Sequence, residues 1–169
     1  MSKLGGEKYS VQKPIIDYVR EQSAEYVAQN GARVFLKLGW QYVTPDEALR
    51  LRGGEAGMAF KEVFSDQLQK LNPDFMDSSM AEEIVKKIES VPSNIEGNFT
   101  AWEYLKGLKT VFVPSEKRER NIKLLDTENL DNNVFHVTDE FKFTNGIKTI
   151  RLDIVFLING IPVLFIETK

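Results

Sequence analysis

The chain has 169 residues, of which 42% are hydrophobic, so it can form the core of one domain and is too short for a multidomain enzyme. A net charge of −3 argues against a free-standing, tight nucleic-acid binder. No cysteine and one histidine exclude disulfides, a thiolate nucleophile and zinc sites built from those residues. No secretion signal is found, and the longest apolar run falls far short of the roughly 20 residues that span a membrane, so we expect a cytoplasmic protein with no membrane partner.

The N-terminal part of the chain is predicted to be helical. Residues 1–20 have no clear period and are interpreted as a tail or lead-in outside the core, with the domain itself at 21–169. Amphipathic spacing predicts four helices, over residues 23–38, 57–71, 79–91 and 96–106. A short strand over 40–43 separates the first two. The last helix is expected to bury Phe99, Trp102 and Leu105 in the core rather than use them to stack on a ligand.

After Gly107 the hydrophobic period changes to that of strands. Strands are predicted over residues 110–113, 122–125, 134–143 and 147–158, followed by a further apolar run after Asn159-Gly160. Helices followed by an antiparallel meander indicate an α+β domain, with the helices packed on the sheet. The basic cluster formed by Lys117, Arg118, Arg120 and Lys123 is interpreted as solvated. His136 is interpreted as structural or exposed rather than as a catalytic base.

Two acidic residues interrupt the apolar runs at the C-terminal end of the chain. Asp153 lies within the first run, and Glu167 and Lys169 stand two apart at the end of the second, so they project to the same side of a strand. A carboxylate on one strand and carboxylate-x-lysine on the next is typical of metal-dependent nucleases. Mg²⁺ prefers oxygen ligands, which Asp153, Glu167 and the carbonyl of Thr168 provide. Lys169 would orient the attacking water or stabilise the transition state.

The shared site depends on the register of this hairpin. Residues directly opposite in an antiparallel hairpin have a constant index sum, and a plain two-residue turn at Asn159-Gly160 would put Asp153 and Glu167 on opposite faces. We therefore predict either a loop of three or five residues, such as Asn159 to Ile161 with Pro162 opening the second strand, or a β-bulge.

A simpler interpretation has no metal. Charged residues are common at strand ends, and Asp153 would then form a surface ion pair with Arg151 or Lys169. On this interpretation Asn159-Gly160 is a turn and nothing more.

Three segments taken together resemble a known family. Arg151 to Phe156, Asn159 to Pro162 and Ile166 to Lys169 resemble the N-terminal nuclease domain of the restriction (R) subunit of type I restriction-modification enzymes. The resemblance extends back to about Ser23. It implies a PD-(D/E)xK nuclease fold with a mixed, largely antiparallel sheet.

The resemblance also implies an activity and partners. The positions of Asp153, Glu167 and Lys169 would hold Mg²⁺ and cleave double-stranded DNA, while modification and specificity subunits read the DNA site. ATP would be used by a motor region of the same polypeptide, because these 169 residues contain no glycine-rich phosphate loop. The family continues beyond the lysine, so we expect a domain that is incomplete at its C-terminus and has little or no cleavage activity alone. The alternative is a non-catalytic docking or structural module of the same fold.

Overall fold

A computed structural model describes residues 8–21, 23–27, 33–37 and 39–168, so the predicted site residue Lys169 lies outside the described part of the chain. The α-helices in these ranges are α1 (Lys13–Glu21), α2 (Pro45–Arg52), α3 (Lys61–Leu71), α4 (Ser78–Glu89) and α5 (Ile95–Leu105). The strands are β1 (Ser23–Val27), β2 (Arg33–Lys37), β3 (Gln41–Tyr42), β4 (Thr110–Val113), β5 (Arg118–Asn121), β6 (Phe135–Thr144), β7 (Thr149–Ile158) and β8 (Ile161–Ile166). Across the described ranges, no helix combines the length and the apolar character needed to cross a membrane.

The main sheet has four strands in the order β3-β6-β7-β8. β3 runs parallel to β6, and the other neighbours are antiparallel. Two separate two-stranded antiparallel sheets, β1–β2 and β4–β5, complete the strand pairing of the described residues. The predicted α+β class and the mixed, largely antiparallel sheet are therefore confirmed.

Helices pack on both faces of the main sheet. On one face, Ala48 of α2 packs in a cluster with Val155 and Leu157, and on the other, Ile16 of α1 packs with Ile154. Because successive side chains of a strand point to opposite faces, these contacts bury the middle of β7 on both sides. A third cluster joins α3 and α4 to Ile161 at the start of β8.

The N-terminal segment differs from its prediction in two respects. The helix predicted over 23–38 is wrong for residues 23–27 and 33–37, which form the antiparallel strands β1 and β2 with Tyr26 opposite Val34. Residues 28–32 and 38 of that prediction lie outside the described part of the chain. Asn30-Gly31 is a strong hairpin signal that the helical interpretation treated only as a weak point in a helix. Residues 13–20 of the lead-in expected to stay outside the core belong to α1, whose Ile16 is buried, and residues 1–7 lie outside the described part of the chain. The division of the chain at residue 20 stays a prediction.

The sequence analysis does not predict the short helix α2, although a helix start signal is present in the sequence. The Thr44 hydroxyl accepts a hydrogen bond from the Glu47 amide at 3.3 Å, and Pro45 occupies the first turn. The next two helices were predicted with shifted starts. α3 begins at Lys61 rather than near residue 57, and α4 is capped by Asp77 rather than by Ser79.

Phe99, Trp102 and Leu105 of α5 are not in the core, so the prediction that the helix buries them is wrong. Phe99 and Trp102 are 58% and 46% exposed, and Leu105 is 37% exposed. The two rings stack on each other with centroids 5.6 Å apart. Helical spacing identified the helix correctly, but spacing alone does not show whether another element covers the apolar stripe. The one residue of α5 classed as buried is Gly97, where an added Cβ would lie 1.8 Å from the Pro92 carbonyl oxygen.

The predicted strand over 122–125 is displaced. The chain pairs as β5 (Arg118–Asn121) instead, and Ile122 and Leu124 are buried in the segment that follows. The basic cluster is solvent-exposed at Arg118 and Lys123, whose side chains are 63% and 41% exposed, and Glu116 pairs with Arg118 and Arg120 at 2.6 and 3.0 Å.

The Asn159-Gly160 turn is more than a turn, contrary to prediction. Asn159 is fully buried, and its side-chain oxygen accepts a hydrogen bond from the Val134 amide at 2.9 Å. Its side-chain nitrogen donates to the Leu124 carbonyl and to Asn133 Oδ1, both at 2.8 Å. The side chain therefore ties the tip of the β7–β8 hairpin to two neighbouring loops.

The same turn packs against the start of α3. The Phe60 amide donates to the Gly160 carbonyl at 2.8 Å, and a Cβ added to Gly160 would lie 2.6 Å from the Phe60 carbonyl oxygen. Gly160 also has a φ of 80°, which favours glycine. The tip of the hairpin is thus fixed to a helix as well as to the loops.

Candidate active site

A β-bulge sets the register between β7 and β8. Next to the two-residue turn, Ile158 pairs with Ile161, whereas beyond the bulge Ile154 pairs with Ile166. The index sum rises by one between these pairs, and Val163 is the extra residue. The bulge alternative of the sequence prediction is confirmed, and the alternative with a longer loop is not.

The bulge changes which residue lies opposite Asp153. Glu167 directly follows β8, and one further step in the register of Ile154 and Ile166 is Asp153 opposite Glu167. Glu167 lies one residue beyond the strand, so its place opposite Asp153 follows from continuing the register and is not itself a ladder pair. Asp153 is buried and Glu167 is exposed, so the candidate site lies at the surface of the protein with one of its acids in the interior.

Hydrogen bonds explain how a carboxylate is tolerated inside the sheet. Asp153 is 7% exposed, and its Oδ2 accepts hydrogen bonds from the Thr168 amide at 2.7 Å and the Thr168 hydroxyl at 2.8 Å. Its Oδ1 accepts none from the described residues. A buried carboxylate held in this way is not a solvent-exposed ion pair, and Arg151 pairs with Glu140 instead, at 3.0 Å.

Thr168 contacts Asp153 through groups that the sequence did not single out. It was predicted to provide a carbonyl ligand, whereas its described contacts with Asp153 use the amide and the hydroxyl as donors. These two bonds orient the carboxylate. A threonine between the glutamate and the lysine is the available sequence signal, because its hydroxyl adds a donor beside the strand end.

The atoms of Asp153 and Glu167 that could bind a metal ion are carboxylate oxygens. Within the described ranges, no group of three or more histidine, aspartate or glutamate side chains could hold a metal ion. Mg²⁺ usually keeps several waters and binds one or two carboxylates together with substrate phosphates. Asp153 and Glu167 fit that requirement in number and in chemistry.

His136 lies apart from this chemistry. It is buried in β6, its ring packs edge-on against Phe60 with centroids 5.6 Å apart, and burial lowers its pKa. The prediction that His136 is either structural or exposed is confirmed, because the side chain is buried and packs against Phe60.

Comparison with known proteins gives a consistent set of relatives. The family described as "Type I restriction enzyme R protein N terminus" matches residues 21–169. A putative type I restriction enzyme MjaIXP endonuclease subunit from Methanocaldococcus jannaschii is 30% identical over 159 residues, which is 86% of this chain and 15% of the relative. The type I restriction enzyme HindI endonuclease subunit from Haemophilus influenzae is 27% identical over 142 residues, covering 78% of this chain and 13% of the relative. The chain thus spans a small part of the length of these relatives.

Proposed function

Because the chain belongs to the family formed by the N termini of type I restriction enzyme R proteins, we propose that it is the nuclease domain of such a subunit. On this proposal it has a PD-(D/E)xK fold and hydrolyses phosphodiester bonds of double-stranded DNA with Mg²⁺. Modification and specificity subunits are its partners, and ATP is used by a motor region elsewhere in the enzyme.

One observation carries the proposal. The bulge at Val163 shifts the register of β8, and continuing that register by one residue puts Glu167 opposite Asp153, in a part of β7 that is buried on both faces. A buried acid is costly unless it is hydrogen-bonded, and the two hydrogen bonds from Thr168 offset that cost for Asp153. The register and the burial together support a metal site better than a surface ion pair.

The roles of the residues follow from their chemistry. Asp153 and Glu167, with the Thr168 carbonyl, would hold the ion, which when bound supplies Lewis-acid activation of the attacking water and of the scissile phosphate. The Thr168 amide and hydroxyl keep the Asp153 carboxylate in one orientation. Lys169 would add a positive charge where negative charge develops on the phosphoryl oxygens.

The alternative is a non-catalytic docking module, and exposed apolar residues favour it. β8 is the edge strand of the main sheet, and its Val163, Leu164 and Phe165 are exposed, as are Phe99 and Trp102 of α5. Exposed apolar patches often mark interaction sites. A docking module and a nuclease make different demands on the register of β8.

A deletion and an insertion at the bulge test that register. Deleting Val163 removes the bulge but leaves Glu167 opposite Asp153, so we expect DNA cleavage by the restriction complex that carries this chain to change by no more than about threefold. Inserting one glycine after Val163 moves Glu167 opposite Leu152 instead. Because small misplacements of reacting groups are costly, we expect cleavage to fall about a hundredfold.

Cleavage of plasmid DNA and ATP hydrolysis are measured side by side for both variants. ATP hydrolysis reports that the complex still assembles and is expected to stay near its normal rate in each. If the insertion variant cleaves as well as the unaltered enzyme, the proposed pairing of the two acids does not contribute to catalysis.

A further inference from the structure

The sheet is irregular at the position opposite Asp153. β6 and β7 keep one register on both sides of this point, with Asp139 opposite Ile154 and Phe141 opposite Leu152. Between these pairs stands Glu140, whose φ of 51° lies in the left-handed region. Residues other than glycine rarely adopt that backbone conformation within a strand.

At this irregularity the side chains of β6 change from one face of the sheet to the other. Residues four apart in a regular strand lie on the same face. Val137 packs in the cluster of Ile154, whereas Phe141 packs in the cluster of Val155, on the other face. The exchange takes place at Glu140 and at Asp153 opposite it.

Backbone preference does not explain a glutamate at this point. Glycine adopts a positive φ without strain, so a glutamate in this conformation costs stability relative to glycine. Strained residues of this kind cluster at functional sites, where the side chain is what the site requires.

The Glu140 carboxylate engages Arg151. Arg151 Nη1 lies 3.0 Å from Glu140 Oε2, and the two side chains are 41% and 24% exposed. An ion pair this exposed contributes little to stability. Arg151 precedes Asp153 by two residues, roughly 7 Å along the strand. Its guanidinium has five N–H donors, so the contact with Glu140 leaves donors for a second anion.

We propose that Arg151 binds a backbone phosphate of the DNA beside the Asp153 site, and that Glu140 is the positioning residue that holds its guanidinium. The proposal rests on the proposed function, because it takes double-stranded DNA as the ligand. It adds a substrate contact outside the metal-binding set.

The test is the binding of a double-stranded oligonucleotide by the 169-residue chain in EDTA, measured by fluorescence anisotropy at several salt concentrations. Arg151→Gln should weaken binding about tenfold and reduce the slope of log K against log salt by about 0.9, because one phosphate contact is lost. Lys87→Gln is the matched control, since Lys87 is also an exposed cation, paired with Glu83 at 2.8 Å. It should change neither quantity.

Glu140→Gly separates positioning from charge. Removing a negative charge would by itself strengthen DNA binding, whereas loss of the positioning contact should weaken it about threefold. The same substitution should leave the free energy of unfolding unchanged or higher, because glycine relieves the positive φ. Weaker binding by a variant that is at least as stable is not expected from a purely structural role.

Three results would overturn the proposal. They are an absence of DNA binding by the unsubstituted chain, equal effects of the Arg151 and Lys87 substitutions, and tighter binding by the glycine variant. The proposed function fails on a different result, which is cleavage that survives substitution of Asp153. The two failures are therefore distinguishable.

Discussion

Replacing Asp153 by asparagine is expected to reduce DNA cleavage by the restriction complex at least about 10³-fold while ATP hydrolysis continues near its normal rate. Asparagine has almost the same shape and keeps one oxygen to accept the hydrogen bonds of Thr168. What it loses is the charge that would bind Mg²⁺. Lys169→Ala should have the same effect, because it removes the cation proposed to stabilise the transition state. Plasmid cleavage and phosphate release in the same samples measure both activities.

Asp74→Asn is the matched control for this substitution. The Asp74 side chain is 76% exposed and lies 3.5 Å from Arg120, so the same chemical change is made on the surface. Both activities should stay at their normal rates in the control. A parallel fall of cleavage and ATP hydrolysis in Asp153→Asn would indicate folding damage, and unaltered cleavage would contradict the nuclease assignment.

Replacing Asn159 by alanine should lower the free energy of unfolding by about 3 kcal/mol or more. The substitution removes the side-chain partner of the Val134 amide and that of the Leu124 carbonyl, and each buried polar group left unsatisfied costs about 1–3 kcal/mol. Asn133 Oδ1 loses one hydrogen bond but keeps the one from the Asp126 amide. Urea denaturation followed by circular dichroism measures the loss.

The chain contains its own control for this prediction in a second Asn-Gly turn. Asn145 is exposed, and its side chain accepts hydrogen bonds from the Ile147 and Lys148 amides within its own turn. Because water replaces these bonds, Asn145→Ala should cost no more than about 1 kcal/mol. Equal losses in the two variants would show that the buried network around Asn159 is not what holds the hairpin.

Local signals in the sequence identified much of the fold. The long apolar periods of α3, β6 and β7 were predicted with small shifts at their ends, because burial of one face or of both imposes those periods. The helix predicted over 23–38 failed because its spacing suits either a helix or a hairpin, and pairing decides between them. The exposure of Phe99 and Trp102 could not be predicted, since it depends on what packs over α5.

The candidate site was predictable in part. Asp153 and Glu167 could be identified because each is an acid within or at the end of an apolar run. Index parity required either a loop of odd length or a bulge, and the structure contains the bulge. The link between Glu140 and Arg151 was not predictable, because it arises from a backbone conformation at Glu140 for which no residue type gives a signal. The Thr168 hydrogen bonds were not predictable either, because they join a residue beyond the end of β8 to Asp153 on β7, and this contact depends on how the two strands pair.

Titration of the ¹⁵N-labelled chain with Mg²⁺, followed by NMR, tests most directly whether Asp153 and Glu167 share a metal ion. We expect saturable shifts centred on the amides of Asp153, Glu167 and Thr168, which are absent in the Asp153→Asn variant. Shifts that do not saturate and are spread over surface acids such as Glu83, or that persist in Asp153→Asn, would contradict a metal site between β7 and the end of β8.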